Sequence, residues 1–495
     1  MNTKQNKHEA SICPVVIKPG MKIKFHSDED LEKIHLASMT VLDHTGVRFP
    51  SKKALKTFAD AGAKVDFEKE IVKIPPDLLM DSISKAPRSY TMASRGSKKL
   101  DLFLDGRGTY IGNAGTGMET AVLCTGKIRR SVKKDIADMA RIVDYLPTCS
   151  YYWPMVSAHD VPVPLMPLHE LDAAFNNTQK HAHIISCVKK KPARHVVELI
   201  KVVGGGSDAI RKRPPASLLI CPVSPLNQDE ESLETALLFA EAGLPVGAAT
   251  MPTLGATAPA SVAGTFVQGN AEVLSTICYI QLVHPGAPVY YSFFSVTMNP
   301  YTGGSMSSSV MQHLLHAGVS QIGHYYDLPV MCGYGAGDTH APGTWRHGKD
   351  SAVDAFFVMQ TGPDLVPNMG LIELYTLMHH ESILLENEVV NSIMTMAGGI
   401  RVDTRSLAVD EIHNAGPGGH YLGNQFTVES MREFWKPGIA HQWDPPKMDF
   451  KNPLEAAKEK IQWILKNHHP RPLEEKVQRE MKKIITAAEK ELVQA

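Results

Sequence analysis

The stretch of this sequence richest in reactive side chains runs from Gly333 to Gly348 and carries Tyr334, Asp338, His340, Trp345, Arg346 and His347 among three further glycines. Glycine lets a backbone approach a ligand closely. Arg346 could clamp a carboxylate through two parallel N–H donors, with His347 as a further donor. Aromatic rings gather at two other places, Tyr151-Tyr-Trp153 and Tyr290-Tyr-Ser-Phe-Phe294. Rings make up only 7% of the chain, so their grouping is informative. Ring faces attract a quaternary ammonium without any hydrogen bond, and a ring cluster beside a carboxylate clamp suits a zwitterionic amine. If these rings lie on strands, alternation turns half of them outward into ordinary core packing.

Other chemistries are poorly represented. Ala114-Gly-Thr-Gly117 lacks the full G-x-G-x-x-G pattern and its acidic partner, which argues against a dinucleotide site. There is no C-x2-C pair, H-E-x-x-H or EF-hand loop, so no metal site is expected from local spacing. No serine or cysteine sits in a nucleophile elbow. His379, His380 and Glu381 fall within a helical pattern and read as structural or interfacial. The glycine-rich section from His413 to His420 could fold over a site, although turns explain its glycines equally well.

These groups need a frame. From about residue 108, short apolar runs alternate with amphipathic stretches of helical length. The runs are Thr109–Asn113, Tyr151–Met155, His183–Cys187, Ser217–Cys221, Pro245–Thr250, Val289–Phe294, Leu328–Cys332 and Leu365–Asn368. Helices are expected at Lys133–Tyr145, Leu168–Gln179, Lys191–Val203, Glu230–Ala242, Ser261–Val283, Ser307–Tyr326, Lys349–Thr361 and Leu377–Met396. Parallel strands buried on both faces read as continuous apolar runs, and eight strand–helix units match an α/β fold of the (β/α)8 TIM-barrel type. A doubly wound open sheet is the alternative. In a barrel the reactive groups sit at the C-terminal strand ends, where the ring clusters and the Gly333–Gly348 loop would fall.

Residues 1–107 read as an N-terminal α+β region, 108–398 as the barrel, and 399–495 as a mostly helical C-terminal extension. Ser27 with Asp30 forms a capping-box start. The tail from Pro453 carries Leu454, Ala457, Ile461 and Ile464 on one stripe, which should pack on the barrel exterior or a neighbouring subunit.

Composition removes whole classes of function. Lys and Arg total 51 against 52 Asp and Glu, a net charge of −1, so a nucleic-acid partner is not expected. No apolar stretch reaches the length of a membrane span, and the start of the chain lacks a signal-peptide core, so no membrane association and a cytoplasmic location are expected. Seven scattered cysteines suit reduced thiols.

The ordered motifs His44-Thr-Gly-Val47, Ala93-Ser-Arg95, Ile111-Gly-Asn-Ala-Gly115, Thr125-Gly-Lys-Ile-Arg-Arg130, Gly337-Asp-Thr339 and Gly416-Pro-Gly-Gly-His-Tyr-Leu422 resemble the trimethylamine methyltransferase family. That resemblance implies a barrel that moves a methyl group from an amine to the Co(I) corrinoid of a separate corrinoid protein. The trimethylamine enzymes carry pyrrolysine after the seventh strand, whereas Thr339–Gly348 holds only ordinary residues. This chain therefore resembles the non-pyrrolysine branch, which demethylates glycine betaine, proline betaine, carnitine or γ-butyrobetaine, and it is most similar to the glycine betaine enzymes. Phe426-Thr427 stands where many relatives have His-Thr, so no role is carried over for that histidine.

A quaternary nitrogen leaves as a neutral amine, so no general acid is needed and catalysis becomes positioning. The expected ammonium contacts are Trp153, Phe294, Tyr334 and Trp345, and the expected carboxylate contacts are Arg346 and His347. Asp338 is expected to organise its loop. Asp338–Gly343 matches the D-x-H-x-x-G string of corrinoid-binding domains, but its place after a barrel strand argues that the chain binds no cofactor itself. A homo-oligomer is expected. The rival from another class is a non-catalytic quaternary-ammonium binding protein.

Overall fold

A computed structural model describes residues 14–18, 22–123, 125–307, 309–335, 339–434 and 438–493. Its centre is a closed barrel of eight parallel strands: β1 Tyr110–Asn113, β2 Cys149–Tyr152, β3 His181–Ile184, β4 Ala216–Ile220, β5 Val246–Thr250, β6 Val289–Phe293, β7 Val330–Cys332 and β8 Leu365–Met369. Each strand pairs with its neighbours in sequence, and β8 closes on β1 through Leu365 opposite Tyr110 and Val366 opposite Ile111. Every residue of these strands is buried, which explains their unbroken apolar runs.

The helices that follow the strands are α1 Lys133–Tyr145, α2 Met166–Asn177, α3 Lys190–Gly204, α4 Glu230–Ala242, α5 Val262–Val283, α6 Val310–Tyr325, α7 Trp345–Thr361 and α8 His380–Ala397. One expected boundary matters for function. Thr344 caps α7 by accepting a hydrogen bond from the His347 backbone N–H, so the helix starts four residues before the expected Lys349 and takes Trp345 and Arg346 out of the loop.

Strand alternation is resolved by packing. Tyr152, Tyr291 and Phe293 face outward into the layer between strands and helices, while Tyr110, Tyr151, Leu219, Tyr290, Met331 and Leu365 fill the barrel interior. Gly112 and Gly247 make room for this filling: a Cβ at either would overlap the ring of Tyr151 or Tyr290. The barrel is thus a packed core below its mouth.

The N-terminal region mixes helices with short strands. Ser27 and Asp30 form the capping box of the helix Asp28–Thr40, and strands Lys64–Asp66 and Ile71–Lys73 pair antiparallel. Phe49 and Phe58 carry this region onto Tyr279 of α5. Two small sheets rim the barrel mouth without any clear signal in the sequence. One joins Glu119–Ala121, Ile128–Arg130, Leu371–Ile372 and Leu377–His379, and the other joins Thr253–Leu254, Val296–Met298 and Ser305–Met306.

Beyond α8, the helices Thr404–Leu407 and Val409–Ala415 bury none of their residues, and Ile400, Val402, Leu407, Val409, Ile412 and Leu422 are exposed. The chain then returns through the helix Pro453–Asn467, which lays Ala457, Ile461 and Ile464 on the barrel exterior, and ends with Glu475–Leu492 against α3. Among the described residues no helix is long and apolar enough to cross a membrane. The five described cysteines are free thiols; Cys13 and Cys124 lie outside the described residues.

Candidate functional site

At the C-terminal end of the barrel lies a cavity of about 180 Å³. Among the described residues, every barrel strand except β7, or the loop that follows it, contributes to the lining, so its walls are held by the barrel itself. It is smaller than the roughly 300–1,000 Å³ of sites for drug-sized molecules, which restricts it to a small ligand.

Next to the Trp153 ring the barrel interior is uncharged. Ser217 Oγ lies 2.9 Å from both His181 Nε2 and His183 Nδ1, and the Tyr290 hydroxyl donates to the Leu218 carbonyl at 2.9 Å. Burial pushes the His183 imidazole down to about 3, so it stays neutral at physiological pH. Its Nε2 has no hydrogen-bond partner, and its ring stands edge-on to Trp153 at 4.6 Å.

Trp153 forms one wall from a position just past the end of β2. The side chain of Asn113, at the end of β1, fixes it on both sides, donating to the Trp153 carbonyl at 2.5 Å and accepting from its N–H at 3.0 Å. The indole lies against Gly115, where a Cβ would overlap Cδ1 and Nε1. Gly115 in the Ala114–Gly117 segment is thus explained by ring packing. Phe294, held through its N–H by the Thr250 carbonyl at 2.9 Å, forms the facing part of the lining, and a Cβ at Gly333 would intrude on its ring.

Asn368 and Tyr375 complete the lining in left-handed backbone conformations, with φ of 96° and 65°. Such conformations are costly for residues other than glycine and persist where surrounding contacts enforce them. Here both side chains donate to the Tyr334 carbonyl at 2.9 Å.

On α6, Gln312 and His316 face the cavity one turn apart. His316 Nδ1 lies 2.8 Å from Asp354 Oδ2, and His313 Nδ1 lies 3.4 Å from Oδ1 of the same carboxylate. The Gly335 N–H donates to Asp354 at 2.5 Å. Burial works against the charge of Asp354, but the two imidazoles hold its carboxyl at about 2. Cys221 also lines the cavity, but burial pushes its thiol up to about 12, which leaves it protonated and a poor nucleophile. Among the described residues no three His, Cys, Asp or Glu side chains group to hold a metal ion.

Of the residues singled out from the sequence, Trp153 and Phe294 line the cavity. Tyr334 and His347 lie behind it, brought together on Glu386 of α8. The Tyr334 hydroxyl donates to Oε2 at 3.0 Å, and His347 Nε2 lies 3.0 Å from Oε1. Because His347 Nδ1 accepts the Gly343 N–H, its proton sits on Nε2 and is spent on Glu386. Glu386 also accepts the Gly370 N–H at 3.2 Å, so one carboxylate ties β7, β8 and α7 together. Trp345 is 86% exposed and Arg346 is exposed, both on the first turn of α7 and outside the cavity lining. His340 pairs with Glu373 at the surface, and Asp338 lies outside the described residues.

Sequence reasoning passed over His316, Asp354, Gln312, Asn368, Tyr375 and Glu386. The His313-x-x-His316 spacing, which puts two imidazoles on one helix face, was the available signal.

The model of the trimethylamine methyltransferase family matches residues 1–493. The chain belongs to that family. A trimethylamine methyltransferase of Desulfitobacterium hafniense is 31% identical, covering 95% of each chain. One from Methanosarcina thermophila is 28% identical over 93% of this chain and 97% of its own. A glycine betaine methyltransferase of Desulfitobacterium hafniense is 26% identical over 95% of this chain and 98% of its own. A solved monomethylamine methyltransferase of Methanosarcina barkeri aligns over 92% of this chain and 96% of that one, with a TM-score of 0.49 and 12% identity. The barrel assignment rests on the strand pairing described above.

Proposed function

We propose that this methyltransferase-family member takes a methyl group from a quaternary amine, glycine betaine in the first place, and passes it to the Co(I) corrinoid of a separate protein. The observation that carries the reading is the cavity itself. Trp153, Phe294 and Tyr375 supply rings, and no carboxylate, lysine or arginine is among its described lining residues. A permanent cation can be held there by ring faces and apolar contact alone, because it needs no hydrogen bond. A carboxylate partner would instead anchor the ammonium firmly in its ground state, whereas the methyl leaves as the charge on nitrogen disappears. Ring faces let that charge disperse at less cost.

The reaction follows from the same chemistry. The N–CH3 bond breaks with its electron pair going to nitrogen, which gives dimethylglycine from glycine betaine, and the methyl is taken up by the nucleophilic Co(I). The leaving amine needs no proton, and the described lining offers no strong acid. What remains for the protein is to align one N–methyl bond with the barrel mouth and keep water away. The corrinoid comes with the partner protein, and no residue of this chain is assigned to hold it.

The exposed apolar side chains from Ile400 to Leu422 support self-association, which sedimentation would read directly. The functional reading is tested by supplying purified protein and Co(I) corrinoid protein with glycine betaine, proline betaine, carnitine, γ-butyrobetaine and choline, and identifying the product amine by NMR. Dimethylglycine as the main product supports it; turnover of choline alone overturns the betaine assignment, and binding without turnover of any amine reduces the protein to a binding module.

A further inference from the structure

We propose that His316 is the carboxylate receptor of the site, acting through Nε2 as an imidazolium whose charge is sustained by Asp354. This deepens the reading above and rests on it, because it specifies that the quaternary amine must carry an anionic end. Among the described lining residues, His316 is the one side chain able to bear a positive charge. Its Nδ1 is committed to Asp354 at 2.8 Å, and its Nε2 makes no hydrogen bond to any described residue. The imidazole therefore has one nitrogen on a buried anion and the other free for a ligand.

Asp354 is wholly buried, on a different helix from His316, and is held by the Gly335 N–H and the two imidazoles of α6. A buried carboxylate with no lysine or arginine against it is a costly feature unless a positive charge compensates it, and protonated His316 provides that charge. Occupation by a carboxylate would then give the imidazolium an anion on each side, while the ligand's ammonium faces Trp153 and Phe294. A second unused donor points the same way. Trp153 is 4% exposed, its Nε1–H has no partner among the described residues, and the ring lines the same cavity. A buried N–H left without an acceptor is uncommon and calls for an explanation, which the oxygen of a bound carboxylate would supply.

This arrangement also accounts for a site that selects zwitterions with its arginine outside. An unpaired guanidinium at the cavity wall would repel the ammonium, whereas the His316 imidazolium and the Asp354 carboxylate together add no net charge. Asp354 is a positioning residue, since it acts on the ligand through His316.

Calorimetric titration of glycine betaine, choline and tetramethylammonium into the whole chain tests the assignment with His316→Gln, His316→Phe and Asp354→Asn. A charge-assisted hydrogen bond is expected to be worth roughly tenfold to a hundredfold in affinity. Glycine betaine should lose that much in both His316 variants, while choline and tetramethylammonium stay within about threefold. Asp354→Asn should show a smaller loss that is again confined to glycine betaine, a selectivity that general damage to packing would not produce. Equal losses for all three ligands, or none for glycine betaine, would overturn the assignment. The underlying reading fails separately: if wild-type protein binds neither glycine betaine nor tetramethylammonium, the ammonium site falls and His316 with it. If it binds tetramethylammonium as tightly as glycine betaine, only the carboxylate receptor falls.

Discussion

Replacing Trp153 by leucine removes the ring proposed to face the ammonium while keeping an apolar side chain on the same wall. The indole is almost fully buried, rests on Gly115 and is fixed through its backbone by Asn113, so it cannot be replaced by a neighbouring ring without moving β1. A cation–ring contact in a desolvated site is worth about 2 kcal/mol, and at about 1.4 kcal/mol per decade this corresponds to roughly 30-fold weaker binding. The smaller side chain also leaves empty space, which weakens any ligand. The two effects separate with 3,3-dimethylbutanoate, the uncharged-carbon isostere of glycine betaine, which has the same shape and carboxylate but no positive charge. Calorimetry on wild type and Trp153→Leu should show roughly 30-fold loss for glycine betaine and only a few-fold loss for the isostere. Equal losses for both would mean that Trp153 contributes shape alone, and the ring-cage reasoning would be refuted.

Gly115→Ala should displace the indole, because the new methyl would overlap Cδ1 and Nε1; glycine betaine binding should fall at least tenfold while the circular dichroism of the barrel is retained, and unchanged binding would contradict the packing. Glu170, buried in α2 beside Ser186, has its carboxyl pushed up by burial from 4.5 to about 7. Below pH 4.5 the folded and unfolded chains both hold this proton; between 4.5 and 7 only the folded chain does, so stability falls with rising pH and levels off above 7, by up to about 3 kcal/mol. In thermal melts Glu170→Gln should therefore gain on wild type as pH rises through that window, and a gap independent of pH would count against it. Arg346→Ala, at an exposed helix start, should leave glycine betaine affinity within about twofold; a loss of tenfold or more in calorimetry would bring the arginine back to the carboxylate.

The barrel was readable because its strands are buried on both faces and its helices are amphipathic. Lys133–Tyr145 and Glu230–Ala242 form as the periodicity indicates, to the residue. Strand edges were less readable: Trp153 and Met155 are as buried as β2 itself, so apolar continuity could not reveal that the strand stops at Tyr152. The ring clusters located the mouth, and Trp153 and Phe294 do line it. Tyr334 and His347 belong to the same neighbourhood but are drawn onto Glu386, one of three glutamates in its helix and one that only tertiary packing makes central. Arg346 was misleading because Thr344 starts α7 early without the acidic residue three positions on that usually completes a capping box. The His316–Asp354 pair could not be read from the chain, since its members meet only where α6 and α7 pack side by side around the closed barrel.

The most direct test of the proposed activity is the rate of methyl–Co(III) formation, followed by absorbance, when purified protein and Co(I) corrinoid protein are given glycine betaine or trimethylamine under the same conditions. A quaternary nitrogen leaves as a neutral amine, whereas a tertiary one must first be activated, and the one lining imidazole, His316, is assigned to the ligand's carboxylate rather than to the leaving nitrogen; glycine betaine should therefore methylate cobalt with stoichiometric release of dimethylglycine, and trimethylamine should give no reaction above the protein-free control. Methylation by trimethylamine as fast as by glycine betaine would contradict the account.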